Sequence, residues 1–383
     1  MLVAQTLDNT ASLTAAMLNE SNQKYTAEQM SEELLKLGSS INIFGGTSET
    51  IINVQSLKKN LPQTMALLEQ RLLNPKFTAE DFDRVKQQQI EGIKSGEQPP
   101  TSIANTVYNR LLYGQNHIMS VPTSGIEETV SAIELKDIED FYTTYYSPSI
   151  AELVVVGDIS EKEVMKNIEF LKNWEKKAVK MPTLPEIPSV KETKVYLVDK
   201  EKAPQSEIRI GYMTDLKYDV TGEYFKSSLM NYTLGGAFNS RINLNLREDK
   251  GFTYGARSGF RNNADMVAYT AQAGVRANVS DSSVVEFMKE ITSYHKDGIT
   301  KDELDFMRKS IGQRDARQYE TLGQKASFLG RIVEYDLDKS YVKKQNEIIN
   351  TISQADLNGC DLLEKELNQT LKQAGLNANQ FLP

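Results

Sequence analysis

Two residues whose types could do chemistry stand seven apart in "REDKGFTYG": Arg247 and Tyr254. The run Ser240–Arg247 has Ile242 and Leu246 one helical turn apart, so the spacing predicts a short helix. Gly251 breaks it and Phe252 opens a predicted strand. Arginine is a permanent cation with forked N–H donors, and tyrosine adds one hydroxyl donor. Converging on one side of such a turn, the two suit a carbonyl oxygen that is gaining negative charge. On residue types alone a simpler alternative stands beside this: an arginine complementing its helix C-terminus and a tyrosine packed in a sheet.

Other chemistries have less support. The chain has two histidines. His295 follows Val284, Met288 and Ile291 at helical spacing near Gly298, which reads as a packed or dipole-facing residue at a helix end. His117, in "YGQNHIMSVP", reads as a plain loop residue. Neither belongs to an H-E-x-x-H or H-x-x-E-H pair, in which one helical turn brings two imidazoles to one metal. No G-x-S-x-G elbow is present, and Cys360 lies in a polar helical run with nothing to mark it as reactive. "LGGAFNSR" lacks the order and the lysine of a phosphate loop, so Gly235 and Gly236 read as a helix C-cap in which glycine accepts left-handed dihedrals.

The elements that must position these residues belong to a chain of 383 residues, 39% hydrophobic and 25% charged, as in an ordinary globular protein of about two or three domains. A net charge of −8 argues against a nucleic-acid partner, which needs a basic face. It is compatible with a cavity that attracts basic peptides. The single cysteine excludes an internal disulfide. No apolar run approaches a membrane-spanning length, and the N-terminus lacks the basic start and cleavage site of a signal peptide.

The segment Lys176–Thr193 holds Pro182, Pro185 and Pro188 among lysines and small polar residues, the composition of an extended spacer. Two domains are expected, residues 1–178 and 194–383, with a linker over 179–193. Thr78 with Asp81, and Thr300 with Glu303, read as N-terminal boxes opening amphipathic helices. Phe82 and Val85 correspond to Leu304 and Met307, and the agreement in order suggests an internal duplication. Helices are expected over Thr26–Leu37 and Val284–His295. "SINIF" and "TIINV" around Gly45–Gly46 predict a hairpin. "AELVVVGD", "KVYLVD", "SEIRIGYM", "FTYGARSGF" and "MVAYTAQAGV" predict strands, the last with Val267, Tyr269 and Ala271 on one face. The fold class is therefore α+β: two similar domains, each a mostly antiparallel sheet with helices packed on one face.

At "LGGAFNSRINLNLREDKGFTYGARSGF" the sequence resembles the second-domain signature of the insulinase, pitrilysin and mitochondrial-processing-peptidase family. That signature has a glycine pair, a small-Ser-Arg run, Leu-Arg-Glu, and a tyrosine seven residues after the arginine. "LTAAMLNESNQKYTAEQMSEELLKLGSSINIFGGTSET", "LLNPKFTAEDFDRVKQQ", "LLYGQNH" and "YYSPSIAELVVVGDIS" are similar to its first-domain pattern, so the resemblance covers most of residues 11–357. Active members carry an inverted zinc motif, H-x-x-E-H. Here Ser12 and Ala16 stand at the histidine positions and Ala15 at the general-base glutamate, with Glu91 near the third ligand. Without imidazoles or carboxylate there is neither a zinc shell nor water activation. The resemblance is thus to the family's non-catalytic homologues.

The family's first strands do not precede this region, and "LNQTLKQAGLNANQFLP" does not match its closing strand. Either departure leaves a sheet edge to be covered by a partner or a missing piece. In the family, two two-domain units close around a peptide, one bringing zinc and the other able to bring the arginine–tyrosine pair. The resemblance implies that Arg247 and Tyr254 meet a peptide carbonyl in a zinc-bearing partner's site, with no cofactor in this chain. It also implies main-chain pairing of the peptide with a sheet edge, and a bacterial setting, periplasm or cytoplasm. The alternatives it leaves are a structural or peptide-binding homologue outside proteolysis, and the C-terminal part of one longer active enzyme.

Overall fold

The structure is a computed structural model that describes residues 3–188, 193–263, 266–315 and 319–358. Cys360 and "LNQTLKQAGLNANQFLP" lie outside them. The described residues fall into two units. One is formed by residues up to 98 with 109–187 and 325–330; the other by 99–108, 188–324 and those from 331 onward.

The first unit begins with α1 (Val3–Met17) and α2 (Ala27–Leu37), the latter opened by a capping box at Thr26 and closed by Gly38 in the left-handed region. The hairpin β1 (Ser40–Gly45) and β2 (Thr50–Gln55) pairs Ile41 with Val54 and Ile43 with Ile52. Then come α3 (Leu61–Leu73), α4 (Ala79–Gly96), α5 (Pro100–Tyr113, whose first half belongs to the second unit), α6 (Glu127–Ser131), α7 (Leu135–Tyr145) and α8 (Glu161–Asn167). Thr78 caps α4 by accepting from the Asp81 N–H at 3.1 Å. Ala15, Leu18, Met30, Ile41, Ile43 and Leu68 form one buried cluster, and Leu13, Met17, Phe82, Val85 and Ile138 a second. Burying these faces is what holds the short hairpin against the helices.

The free edge of β1 is closed by side chains. Asn19 accepts from the Ile43 N–H at 3.1 Å and donates to the Ile43 carbonyl at 2.6 Å. The buried guanidinium of Arg71 donates to the Ile41 carbonyl. On this edge both main-chain groups of Ile43 and the carbonyl of Ile41 are therefore already occupied.

The second unit is built on β3 (Gln205–Met213), β4 (Thr253–Asn263) and β5 (Met266–Arg276), all antiparallel in the order β3–β5–β4. Its helices are α9 (Glu223–Asn231), α10 (Arg241–Asn243), α11 (Ser280–Asp297), α12 (Lys301–Asp315), α13 (Leu322–Glu334), α14 (Tyr341–Thr351) and α15 (Gln354–Asn358). Val267, Tyr269 and Ala271 are buried, with Ala273 and Val275 continuing the row. Tyr269, Ala271, Ala273 and Val275 meet Phe287, Ile291 and Tyr294 of α11 and Leu304 and Met307 of α12. Alternation along β5 and helical spacing along α11 and α12 thus generate one apolar layer.

Two expected strands are not formed. Residues 151–156 and 193–200 belong to no sheet among the described residues. Leu153 and Val155 are exposed, and Leu197 is 93% exposed. β-branched composition favours an extended chain, but a strand also needs a neighbour whose N–H and C=O groups complete its ladder.

Candidate functional site

The site forms where α9 and α10 each run on into a rare wide helical turn. A π-helical segment, Tyr232–Gly236, follows α9, and a second, Leu244–Asp249, follows α10. Such turns insert an extra residue into a helix and recur at functional positions. Ile242 and Leu246 are fully buried and anchor the second segment, from which Arg247 emerges with its side chain 34% exposed. The Leu246 carbonyl accepts from the Phe252 N–H at 2.8 Å, and Gly251 reverses the chain at φ +62°, a turn that suits glycine.

β4 opens with a bulge. Thr253 is registered with Val275 and Ala256 with Ala273, so Tyr254 and Gly255 lie opposite Gly274 alone. A bulge re-aims the side chain it carries, and Tyr254 is 91% exposed. The bulge is pinned on one side by the Thr253 hydroxyl, which donates to the Gly274 carbonyl at 2.6 Å. On the other side the Ala256 N–H donates to Asn243 Oδ1 at 2.9 Å.

Two residues that the sequence reading passed over complete the site. Asn243, 4% exposed, uses its other end, Nδ2, to hold the Phe238 carbonyl at 2.7 Å. One buried amide thus joins the loop after the glycine pair to the bulged strand. Phe238 is 62% exposed, and the Arg247 guanidinium carbon lies 4.5 Å from its ring centre. That is cation–π distance. Glu248 Oε1 is 3.4 Å from Arg247 Nε, a solvent-facing pair that holds the arginine weakly. A signal for Asn243 existed: an amide beside Ile242 on a helix that buries Ile242 needs partners of its own.

The glycine pair has a different role from the expected one. Neither glycine is in the left-handed region. A Cβ on Gly235 would lie 2.1 Å from Ser258 Oγ and 2.5 Å from its backbone nitrogen, so Gly235 is demanded by close approach to β4. Ser258 is in turn locked to Asn231 by two hydrogen bonds, of 2.6 and 2.8 Å.

Deeper in the unit, Arg241 grips Glu303 with two hydrogen bonds, of 2.5 and 2.7 Å, and lies over the Tyr294 ring. Burial pushes the Glu303 carboxyl up, but hydrogen bonds from Arg241 and the Thr300 N–H, with the arginine charge, hold it below the usual carboxylate range. His295 is half-buried in the last turn of α11, before Gly298. His117, expected as a plain loop residue, is buried and stacked on Tyr113, and burial pushes its pKa down.

At the degenerate metal positions of α1, Ser12 and Ala16 are half-buried and Ala15 is fully buried in the first unit's core. A Cβ on Gly45 would lie 2.8 Å from Ser12 Cα, so strand and helix are in close contact there. Glu91 is exposed and accepts from Gln87 Nε2 at 3.2 Å. One hydroxyl and two methyl groups are not a zinc donor set. Among the described residues no three His, Cys, Asp or Glu side chains are placed to hold a metal, and no helix is long and apolar enough to cross a membrane.

Comparison with known proteins finds matches in both halves of the chain. The insulinase (peptidase family M16) family model matches residues 7–117, and that of the peptidase M16 inactive domain matches residues 132–311. The chain belongs to the M16 peptidase family. It is similar to an uncharacterized zinc protease YmxG of Bacillus subtilis, 24% identical over 89% of this chain and 81% of that protein. It is equally similar, at 24% identity, to a non-peptidase homolog YmxG of Helicobacter pylori, over 82% of this chain and 72% of that one. The solved structure of a peptidase M16 inactive domain from Pseudomonas fluorescens superposes with a TM-score of 0.84 at 20% identity, covering 94% of this chain and 86% of that one. The α+β fold is that of M16 domains, and this member lacks the zinc motif.

Proposed function

We propose that this M16 chain is the zinc-less subunit or half of an insulinase-type metallopeptidase. Arg247 and Tyr254 grip the carbonyl oxygen of a peptide that a zinc-bearing homologue cleaves. The observation that carries this reading is the contrast between the two units. A π-turn leaves Arg247 part-exposed beside Phe238 and a β-bulge turns Tyr254 out to solvent, with no hydrogen bond on the Tyr254 hydroxyl among the described residues, while the metal positions have become Ser12, Ala15 and Ala16. A guanidinium and a phenol so presented donate to an oxyanion and move no proton themselves.

The test is co-purification with a candidate zinc-bearing homologue, with zinc content and peptide cleavage measured for each chain and for the pair. Arg247→Ala in the active pair lowers kcat by about 10²–10³, the effect of removing an oxyanion donor. Unchanged turnover, or stoichiometric zinc and cleavage by this chain alone, refutes the proposal. The second reading, a structural or peptide-binding homologue outside proteolysis, is favoured by the Helicobacter relative's description as a non-peptidase homolog. It predicts peptide binding that no zinc-bearing partner converts into cleavage.

A further inference from the structure

We propose that a cavity in the second unit binds a linear polyamine, a flexible chain carrying two or more ammonium groups. The cavity, of about 610 Å³, lies between the loop 214–222 that follows β3 and the connection 335–340 that joins α13 to α14. All of its lining belongs to the second unit. Its volume is in the range of small-molecule sites, about 300–1,000 Å³. One wall is aromatic, formed by Tyr218 and Tyr335. The Tyr218 ring centre is 4.4 Å from that of Tyr335 and 5.1 Å from that of Tyr224, so two neighbouring rings hold it in place. Tyrosine faces attract ammonium groups and pack against methylenes.

The remaining lining is acidic beyond what its own cations balance. Asp338 accepts from the Ser340 N–H at 2.7 Å and pairs with Lys344 at 3.4 Å, so those two charges cancel. Asp219, Glu334 and Asp336 then face one further lining cation, Lys217. Among the described residues none of these three acids is in an ion pair. Asp219 is oriented by the Thr221 N–H, which donates to its Oδ1 at 2.8 Å. Glu334 and Asp336 stand at the end of α13, where the helix carbonyls already carry negative potential, with one arginine, Arg331, in the last turn. Asp336 is also in the left-handed region, at φ +46°. Its N–H donates to the Val333 carbonyl and that of Leu337 to the Ile332 carbonyl, a helix closure in which glycine carries no steric cost. A carboxylate thus breaks two local rules at one place, and a bound cation relieves the electrostatic conflict. A metal ion suits the cavity less well, because among the described residues no three His, Cys, Asp or Glu side chains are placed to hold one. Acids spread around an aromatic wall match charges spread along a chain, whereas a single ammonium leaves some of them unmet.

The test is isothermal titration calorimetry of the whole chain with spermidine at low ionic strength, where exposed pairs are least screened. It needs neither peptide nor partner, so its outcome is independent of the peptidase reading. Spermidine should bind saturably at one site per chain. n-Butylamine, with a single ammonium, should bind about tenfold more weakly, as for the loss of two exposed ion pairs. Tyr218→Leu keeps an apolar side chain but removes the π face and should weaken spermidine about two- to fivefold, while Tyr218→Phe keeps the affinity. Asp336→Asn should weaken it about two- to fivefold. Asp336→Gly should weaken it as much and yet raise the urea midpoint of the free chain, since glycine takes the left-handed backbone without strain. Glu128→Gln, an exposed acid of the first unit, should leave binding unchanged. The proposal is overturned if the Asp336 and Tyr218 variants bind as the wild type does, if Glu128→Gln weakens binding as much as they do, or if magnesium displaces spermidine at equal concentration. In each case the amine senses only the chain's net charge. Absence of saturable binding overturns it as well.

Discussion

Gly235 and Gly236 are adjacent and look alike in sequence, but alanine at the two positions should have very different consequences. A methyl on Gly235 meets Ser258 Oγ at 2.1 Å and its backbone nitrogen at 2.5 Å. To reach 3.4 Å from that nitrogen, β4 or the π-turn must move by about 1 Å. Overpacking of this kind costs about 1–3 kcal/mol. The Ser258 hydroxyl must also leave Asn231, and a buried group left unpaired costs about 1–3 kcal/mol more. Exchanging glycine for alanine in a helical segment returns about 0.5–1 kcal/mol. Gly235→Ala should therefore destabilise by about 1–5 kcal/mol. A methyl on Gly236 comes no closer than 3.3 Å to Asn231, so the small strain and the helical gain leave Gly236→Ala within about 1 kcal/mol of wild type. With a urea slope of about 2 kcal/mol per molar, the first variant lowers the unfolding midpoint by about 0.5–2.5 M and the second by less than about 0.5 M. Urea unfolding followed by far-ultraviolet circular dichroism measures both. Equal midpoint shifts would refute the argument that Gly235 is fixed by contact with β4.

Three further outcomes follow from the same geometry. Because Glu303 is held below its ordinary pKa, its contribution to stability is present above the unfolded value of about 4.3 and is lost as pH falls through the folded one. Arg241→Ala should cost about 2–4 kcal/mol at neutral pH and make the acid limb below about pH 4.5 shallower, and an unchanged limb would count against the pair. His117 is pushed down by burial, so the unfolded chain takes up its proton first and stability falls as pH drops below about 6.5; its Cε1–H resonance should titrate with a midpoint under 6.5, and a midpoint at or above 6.5 would refute the effect of burial. Leu197→Lys and Val155→Lys should change stability by less than about 0.5 kcal/mol, whereas Val275→Lys, buried in β5, should cost more than about 4 kcal/mol; similar costs for all three would mean that 151–156 and 193–200 are buried in the folded chain after all.

Much of the framework is legible in the residue pattern, because the signals are local. Thr78 and Thr300 begin helices as their boxes require, since the cap is a contact three residues long. The β1–β2 hairpin, β3, β4 and β5 lie where alternation and turn residues put them. "AELVVVGD" and "KVYLVD" carry equally good local signals and form no ladder among the described residues, because a strand's partner is a distant segment that its own residues do not name. The role of Gly235 was hidden for a similar reason: what it touches, Ser258, is 23 residues away on another element.

The sequence by itself determined that Arg247 and Tyr254 stand seven residues apart and that no H-x-x-E-H pattern is present, because residue types and intervals are properties of the string. Only the tertiary structure decided how those two side chains are presented. The extra residue of a π-turn releases Arg247 beside Phe238, the extra residue of a bulge turns Tyr254 outward, and Asn243 ties both to one frame. Backbone irregularities of this kind arise where helix and strand must fit each other, so no interval counted along the chain could have revealed them.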